Sequence, residues 1–92
     1  LIFFGDEKCP YCKKALNALG GNEFEHVLVS VDIPRDERAD VCYLGGTPEV
    51  RGRSFGELFE GDLSIPKAAV IIKGKVTTLM DSEEIIKYAS KL

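Results

Sequence analysis

The chain has 92 residues, a net charge of -3 at pH 7 and a pI near 5.1. With 45% hydrophobic and 29% charged residues, its make-up is that of a single folded domain over residues 1–92 rather than a disordered segment. An acidic balance argues against a nucleic-acid partner, which needs a basic patch, and no apolar run approaches the ~20 residues of a membrane-spanning helix.

Leu1–Phe4 is a continuous apolar run closed by Gly5, which reads as a buried strand. No basic segment precedes it, so no secretory leader is legible. The chain opens without Met inside this run, which leaves room for residues upstream, a removed leader included. After a turn over Gly5–Lys8, a helix is expected to start with Cys9 at the N-cap and Pro10 at the first helical position, where a missing N–H does no harm. Cys12, Ala15, Leu16 and Leu19 recur at i, i+3, i+4 and i+7 and make one apolar stripe, which Gly20-Gly21 ends. This spacing puts Cys12 on the buried stripe and Cys9 at an exposed tip.

Phe24–Ile33, with Val27, Leu28, Val29 and Val31, reads as a second strand, which makes the start of the chain a parallel βαβ unit. Pro34 opens an expected second helix to about Leu44, stopped by Gly45-Gly46. Gly45–Arg53 reads as an exposed loop, and Ser54 with Glu57 is a capping-box signal for a short helical turn. Lys67–Lys73 reads as a strand, Gly74 as a hairpin turn, and Val76–Met80 as the antiparallel return strand. Asp81 and Glu84 form the capping signal of a last helix with Ile85, Ile86, Ala89 and Leu92 on its apolar stripe. The fold class is α/β, in the order β-α-β-α-β-β-α, with a central four-stranded mixed sheet flanked by helices.

Cys9-Pro10-Tyr11-Cys12 is where chemistry concentrates. A thiol at a helix N-terminus faces unpaired backbone N–H groups and the positive end of the helix dipole, which favour the thiolate, and the thiolate is the form that attacks disulfides. Lys8, Lys13 and Lys14 surround the pair with positive charge, opposed by Asp6 and Glu7. The residues therefore predict dithiol–disulfide exchange, with Cys9 as nucleophile and Cys12 resolving the mixed disulfide. Three cysteines are too few for a disulfide scaffold and suit a reducing, cytoplasmic setting.

The tetrapeptide opening the first helix, the βαβ…ββα order and Pro66 just before the third strand together resemble the glutaredoxins, within the thioredoxin fold, over nearly the whole chain. The resemblance implies a cis Ile65–Pro66 bond facing the cysteines and a groove for a bound thiol substrate. Backbone pairing there falls to Ile65, beside Ser64, with Tyr11 lining the same groove. It also directs attention to Lys8, Pro10, Asp81 and Ser82 as groove residues. The chain departs from the family in three places, one of them a stretch from Asp32 to Ser64 longer than expected. Asp6 stands three residues before Cys9, where glutathione-binding members often carry Lys. Leu79-Met80-Asp81-Ser82 stands where they usually carry a Gly-Gly pair. The implied activity is reduction of protein or glutathione mixed disulfides. The reductant is glutathione or a thioredoxin-reductase-like flavoprotein, the protein is a monomer, and no bound cofactor or metal is expected.

The other readings are a structural disulfide, or a module that holds zinc or an iron–sulfur cluster on the same cysteines. Zinc needs four ligands, and Cys9, Cys12, Cys42 and His26 would have to converge. Cys42 reads as a small buried hydrophobe, with a glutathionylated regulatory thiol as the sharper alternative. His26 reads as a surface residue without a role, and Arg51 and Arg53 as a possible source of carboxylate contacts from the long loop.

Overall fold

The computed structural model describes residues 1–92. Four strands, β1 (Ile2–Gly5), β2 (Glu25–Leu28), β3 (Lys67–Ile72) and β4 (Lys75–Leu79), form one mixed sheet in the order β2-β1-β3-β4. β1 runs parallel to β2, as a crossover through α1 (Pro10–Leu19) requires, and antiparallel to β3, which is antiparallel to β4. Lys73 and Gly74 both take positive φ, 50° and 79°, the backbone of a two-residue I′ hairpin between β3 and β4. No helix is long and apolar enough to cross a membrane.

β1 carries the fold because both its faces are covered. Side chains alternate along a strand, so Ile2 and Phe4 point to one side and Phe3 to the other. Ile2 and Phe4 join Val29, Tyr43, Val50, Phe55, Leu58, Phe59 and Ala69. Phe3 joins Cys9, Cys12, Ala15, Leu19, Ala68 and Ile85. The register is consistent with this division: Ile2 faces Ala69 and Phe3 faces Ala68 across the β1–β3 ladder. On the second side α1 lies with α3 (Ser82–Ala89), and on the first lie α2 (Phe55–Leu58) and the long connection before it. Each fully buried large apolar side chain here contributes about 1.5–3 kcal/mol.

The helix ends follow their local signals. Cys9 is the N-cap of α1 and Pro10 its first residue. Ser54 Oγ accepts the Glu57 N–H at 3.2 Å at the start of α2. Asp81 Oδ1 accepts the Glu84 N–H at 2.8 Å, and Glu84 Oε2 accepts the Met80 N–H at 3.0 Å, so the capping box of α3 reaches one residue further back than expected.

Three expectations are corrected. The second strand ends at Leu28 rather than Ile33: the Val31 N–H turns away to donate to Asp6 Oδ2 at 3.0 Å, and Ser30 Oγ accepts the Asp32 N–H. The second helix is only a 3₁₀ segment, Arg35–Asp40. Its sequence RDERAD offers no apolar stripe to bury, so nothing holds a longer helix against the sheet. The residues after it are extended, with the Tyr43 N–H donating to Arg53 O and the Phe55 N–H to Val41 O. In that extended stretch side chains alternate, so Tyr43 is buried and Cys42 is exposed, not the buried hydrophobe expected. Tyr43 Oη donates to the Glu25 carboxylate, 2.7 Å from Oε2, and accepts the Thr47 N–H at 3.1 Å, which satisfies its one polar atom.

Candidate active site

The site forms where β1 ends and α1 begins. Gly5 is the floor. A Cβ there would stand 2.8 Å from Cys12 Sγ and 2.9 Å from the Phe3 ring, so only glycine lets Cys12 settle this close to the strand. Asp6 then folds the chain into α1. It is nearly buried, and its carboxylate accepts the N–H groups of Lys8 and Val31, both at 3.0 Å. Those two backbone donors, Lys8 first, hold the Asp6 carboxyl below its ordinary value against the opposing effect of burial. The position three residues before Cys9 is thus occupied by an anion that organises the loop.

Cys9 and Cys12 meet at the tip of α1 as free thiols. Cys12 is fully buried on the stripe with Ala15 and Leu19. Burial pushes its thiol up to about 12; a hydrogen bond from the Asp6 backbone opposes the shift, and a hydrogen bond to the Cys9 sulfur adds to it. Cys12 therefore keeps its proton at neutral pH. Cys9 was expected at an exposed tip but is only 9% exposed. Ile65, from the loop opposite, packs against the cluster that contains both thiols.

That loop is the second wall. The Ile65–Pro66 peptide is cis, as the resemblance implied. Ser64 is held by Asp62, whose Oδ1 accepts both the Ser64 N–H and its hydroxyl at 3.1 and 2.7 Å. These bonds, with Lys67 nearby, lower the Asp62 carboxyl to about 2. Lys67 is fully buried, and its ammonium donates to Ser64 Oγ and to Met80 O, both at 2.9 Å, and pairs with Asp62 at 3.2 Å. One side chain thus ties the Pro66 loop to the residue preceding the Asp81 cap.

Next to this loop lies a groove of about 310 Å³, lined by Tyr11, Ser64, Ile65, Pro66, Asp81, Ser82 and Glu83; neither Cys9 nor Cys12 lines it. Six residues anticipated from sequence are therefore brought together: Tyr11, Ser64, Ile65, Pro66, Asp81 and Ser82. Lys8 and Pro10 are not among the lining residues. Lys8 is exposed and reaches Asp32 at 3.4 Å, and Pro10 is exposed at the start of α1. Arg51 and Arg53 are exposed and also take no part in the groove. His26 is exposed as expected, with Nε2 3.0 Å from Gly5 O and its ring edge-on to Phe3.

Sequence reasoning missed the structural parts played by Asp6, Asp62, Lys67 and Glu83. Two signals were present: Asp6 follows the apolar strand as the first residue of an Asx turn, and Lys67 is a lone cation at the head of a strand that is otherwise apolar as far as Ile72. No group of three or more His, Cys, Asp and Glu side chains comes together in a way that could hold a metal ion. Cys42 and His26 do not join the pair, so the four-ligand zinc site considered from sequence is not formed within the chain. The chain matches no protein-family model, no curated protein and no solved structure.

Proposed function

We propose that this is a glutaredoxin-like thiol–disulfide oxidoreductase of the thioredoxin fold, acting on protein or glutathione mixed disulfides. The mixed sheet with helices on its two faces is compatible with that fold. One observation carries the functional reading: Cys9 caps the N-terminus of α1, the fully buried Cys12 lies three residues on in the same packed cluster, and the Ile65–Pro66 wall of the groove packs opposite. The thiolate is the attacking form in such exchange, and Cys12, three residues on along α1, is placed to resolve a mixed disulfide on Cys9.

The Cys9 thiolate attacks one sulfur of the substrate disulfide. That S–S bond breaks, and the leaving thiolate takes up a proton. Cys12 then gives up its proton and attacks Cys9 Sγ, releasing the second substrate thiol and leaving a Cys9–Cys12 disulfide. Two electrons pass from the dithiol to the substrate, and an external thiol (glutathione or a reductase-type flavoprotein) restores the dithiol. A monomer in the reducing cytoplasm suits this cycle. Within one chain no third ligand stands beside the pair, which leaves the metal or cluster reading to a site shared between two copies.

The test is reduction of hydroxyethyl disulfide and insulin by the two serine variants. Cys9→Ser is expected to drop to background. Cys12→Ser is expected to accumulate a mixed disulfide on Cys9, seen by mass spectrometry. Wild-type turnover by Cys9→Ser would sink the proposal, and trapping on Cys12 in Cys9→Ser would reverse the roles.

A further inference from the structure

The groove has a charge, and that charge bears on which disulfide it accepts. Two carboxylates, Asp81 and Glu83, line it, and no basic side chain does. A third carboxylate, Glu84, sits in the same first turn of α3. Two ammonium groups touch lining residues, one buried beneath the loop and one exposed at the rim. Lys67 bonds Ser64 but is fully buried and committed to Asp62 at 3.2 Å. Lys14 lies 5.7 Å over the Tyr11 ring and is itself exposed.

Several groups that could receive a carboxylate are otherwise engaged, while Lys13 and Lys14 stay exposed on α1 outside the lining of the groove. Asp6, three residues before Cys9, is itself an anion and is held by two backbone N–H groups. Lys8 is turned to Asp32, and Arg51 and Arg53 lie outside the groove. At the start of α3 the Glu84 N–H is taken by Asp81 and the Met80 N–H by Glu84. The positive end of the α3 dipole is met by the chain's own acids.

Resting on the redox reading above, we infer that the substrate is a disulfide carried on a polypeptide with lysine or arginine beside the reacting cysteine, and that glutathione disulfide is disfavoured. Size does not decide this, because a groove of about 310 Å³ admits either. Charge does. Each glutathionyl unit brings two carboxylates and one ammonium to a wall that already carries carboxylates. A flanking lysine or arginine instead finds Asp81 and Glu83 as partners. Like charges across an interface reject a wrong partner, and opposite charges raise the encounter rate. The reaction itself is the balanced one given above: the Cys9–Cys12 dithiol supplies both electrons, and two substrate thiols leave.

The experiment is single-turnover oxidation of the fully reduced protein, so that no external reductant enters. Four oxidants are compared: hydroxyethyl disulfide, oxidised glutathione, and one disulfide peptide made with either lysine or glutamate flanks. Each rate constant is divided by that of dithiothreitol with the same compound, which removes the intrinsic reactivity of the disulfide. At an ionic strength of about 0.01 M the lysine peptide is expected to react about tenfold faster than the glutamate peptide, with oxidised glutathione close to the latter. The ratio is expected to shrink toward one at about 1 M salt, where the Debye length is about 3 Å. It is also expected to shrink in the Asp81→Asn/Glu83→Gln variant, in which asparagine keeps the N-cap. Glutathione or the glutamate peptide reacting as fast as the lysine peptide at low salt overturns the inference while leaving the redox reading intact. So does a preference that survives the double substitution. If hydroxyethyl disulfide fails to oxidise the dithiol, the redox reading itself falls, and this one with it.

Discussion

The two faces of the sheet are built from different materials. On one, Phe4, Phe55 and Phe59 form a ring cluster with centroids 5.1–5.9 Å apart, joined by Tyr43 and Val50. On the other, Ala15, Ala68, Cys9 and Cys12 are small, and Phe3, Leu19 and Ile85 supply the bulk. The aromatic face buries more apolar surface per residue and so contributes more of the stability. The thinner face leaves room for two sulfurs at its end. The sheet thus separates the side chains that hold the fold from those that present the chemistry, and β1 contributes to both.

The hardest blow to this division is Phe59→Ala. It is expected to cost about 3–5 kcal/mol, read as a fall in urea midpoint, because a fully buried ring is removed from the packed cluster. If instead it barely moves the midpoint, the aromatic face is not the main source of stability. Gly5→Ala acts on the other face. The new methyl would stand 2.8 Å from Cys12 Sγ, so a loss of about 1–3 kcal/mol is expected, together with an altered alkylation rate at Cys12. A stability change with unaltered thiol chemistry would show that the strand and the sulfur are not in the contact described.

Two pH experiments sharpen the comparison. With its thiol pushed up to about 12, Cys12 is expected to resist iodoacetamide at pH 9, while exposed Cys42 is labelled, as peptide mass mapping would reveal. The linked effect on stability has a definite sign. Between the ordinary value of 9.0 and about 12 the folded thiol keeps a proton that the unfolded chain has lost, so stability falls as pH rises through that window. Asp62 gives the smallest effect and the opposite sign. Its carboxyl is lowered from 3.8 to about 2, so its contribution is present above the ordinary value and fades as pH falls through about 2. Its side chain is 47% exposed, and solvent screening limits the effect to about 1 kcal/mol. Asp62→Asn should remove that part of the acid slope in urea titrations.

What could be read in the sequence was whatever had a local cause. Pro10 after Cys9, the Gly74 turn and the Asp81–Glu84 cap each act within a few residues, and each appears where expected. Much of the groove was legible too, because the Pro66 loop and the start of α3 could be read from the resemblance. The failures share a tertiary origin. The shortened second strand depends on Asp6 capturing Val31 across 25 positions of sequence. The lost second helix depends on there being no surface for RDERAD to bury against. Cys9 is buried in a cluster against which Ile65, a residue of the opposite wall, also packs. Lys67 resisted reading because its partners Asp62, Ser64 and Met80 come together only when the loop and the last helix are in place.

The position of β1 has a consequence for motion. It is hydrogen-bonded along both edges, to β2 and to β3, and its Ile2, Phe3 and Phe4 side chains are buried. No partial opening frees it: exposing the Phe3 or Phe4 amide means undoing both cores. Hydrogen exchange at those amides therefore reports the global unfolding free energy, while the fraying ends of α3 exchange through small local openings. The floor beneath Cys12 is then as durable as the fold itself, and any breathing at the site belongs to the loops around it.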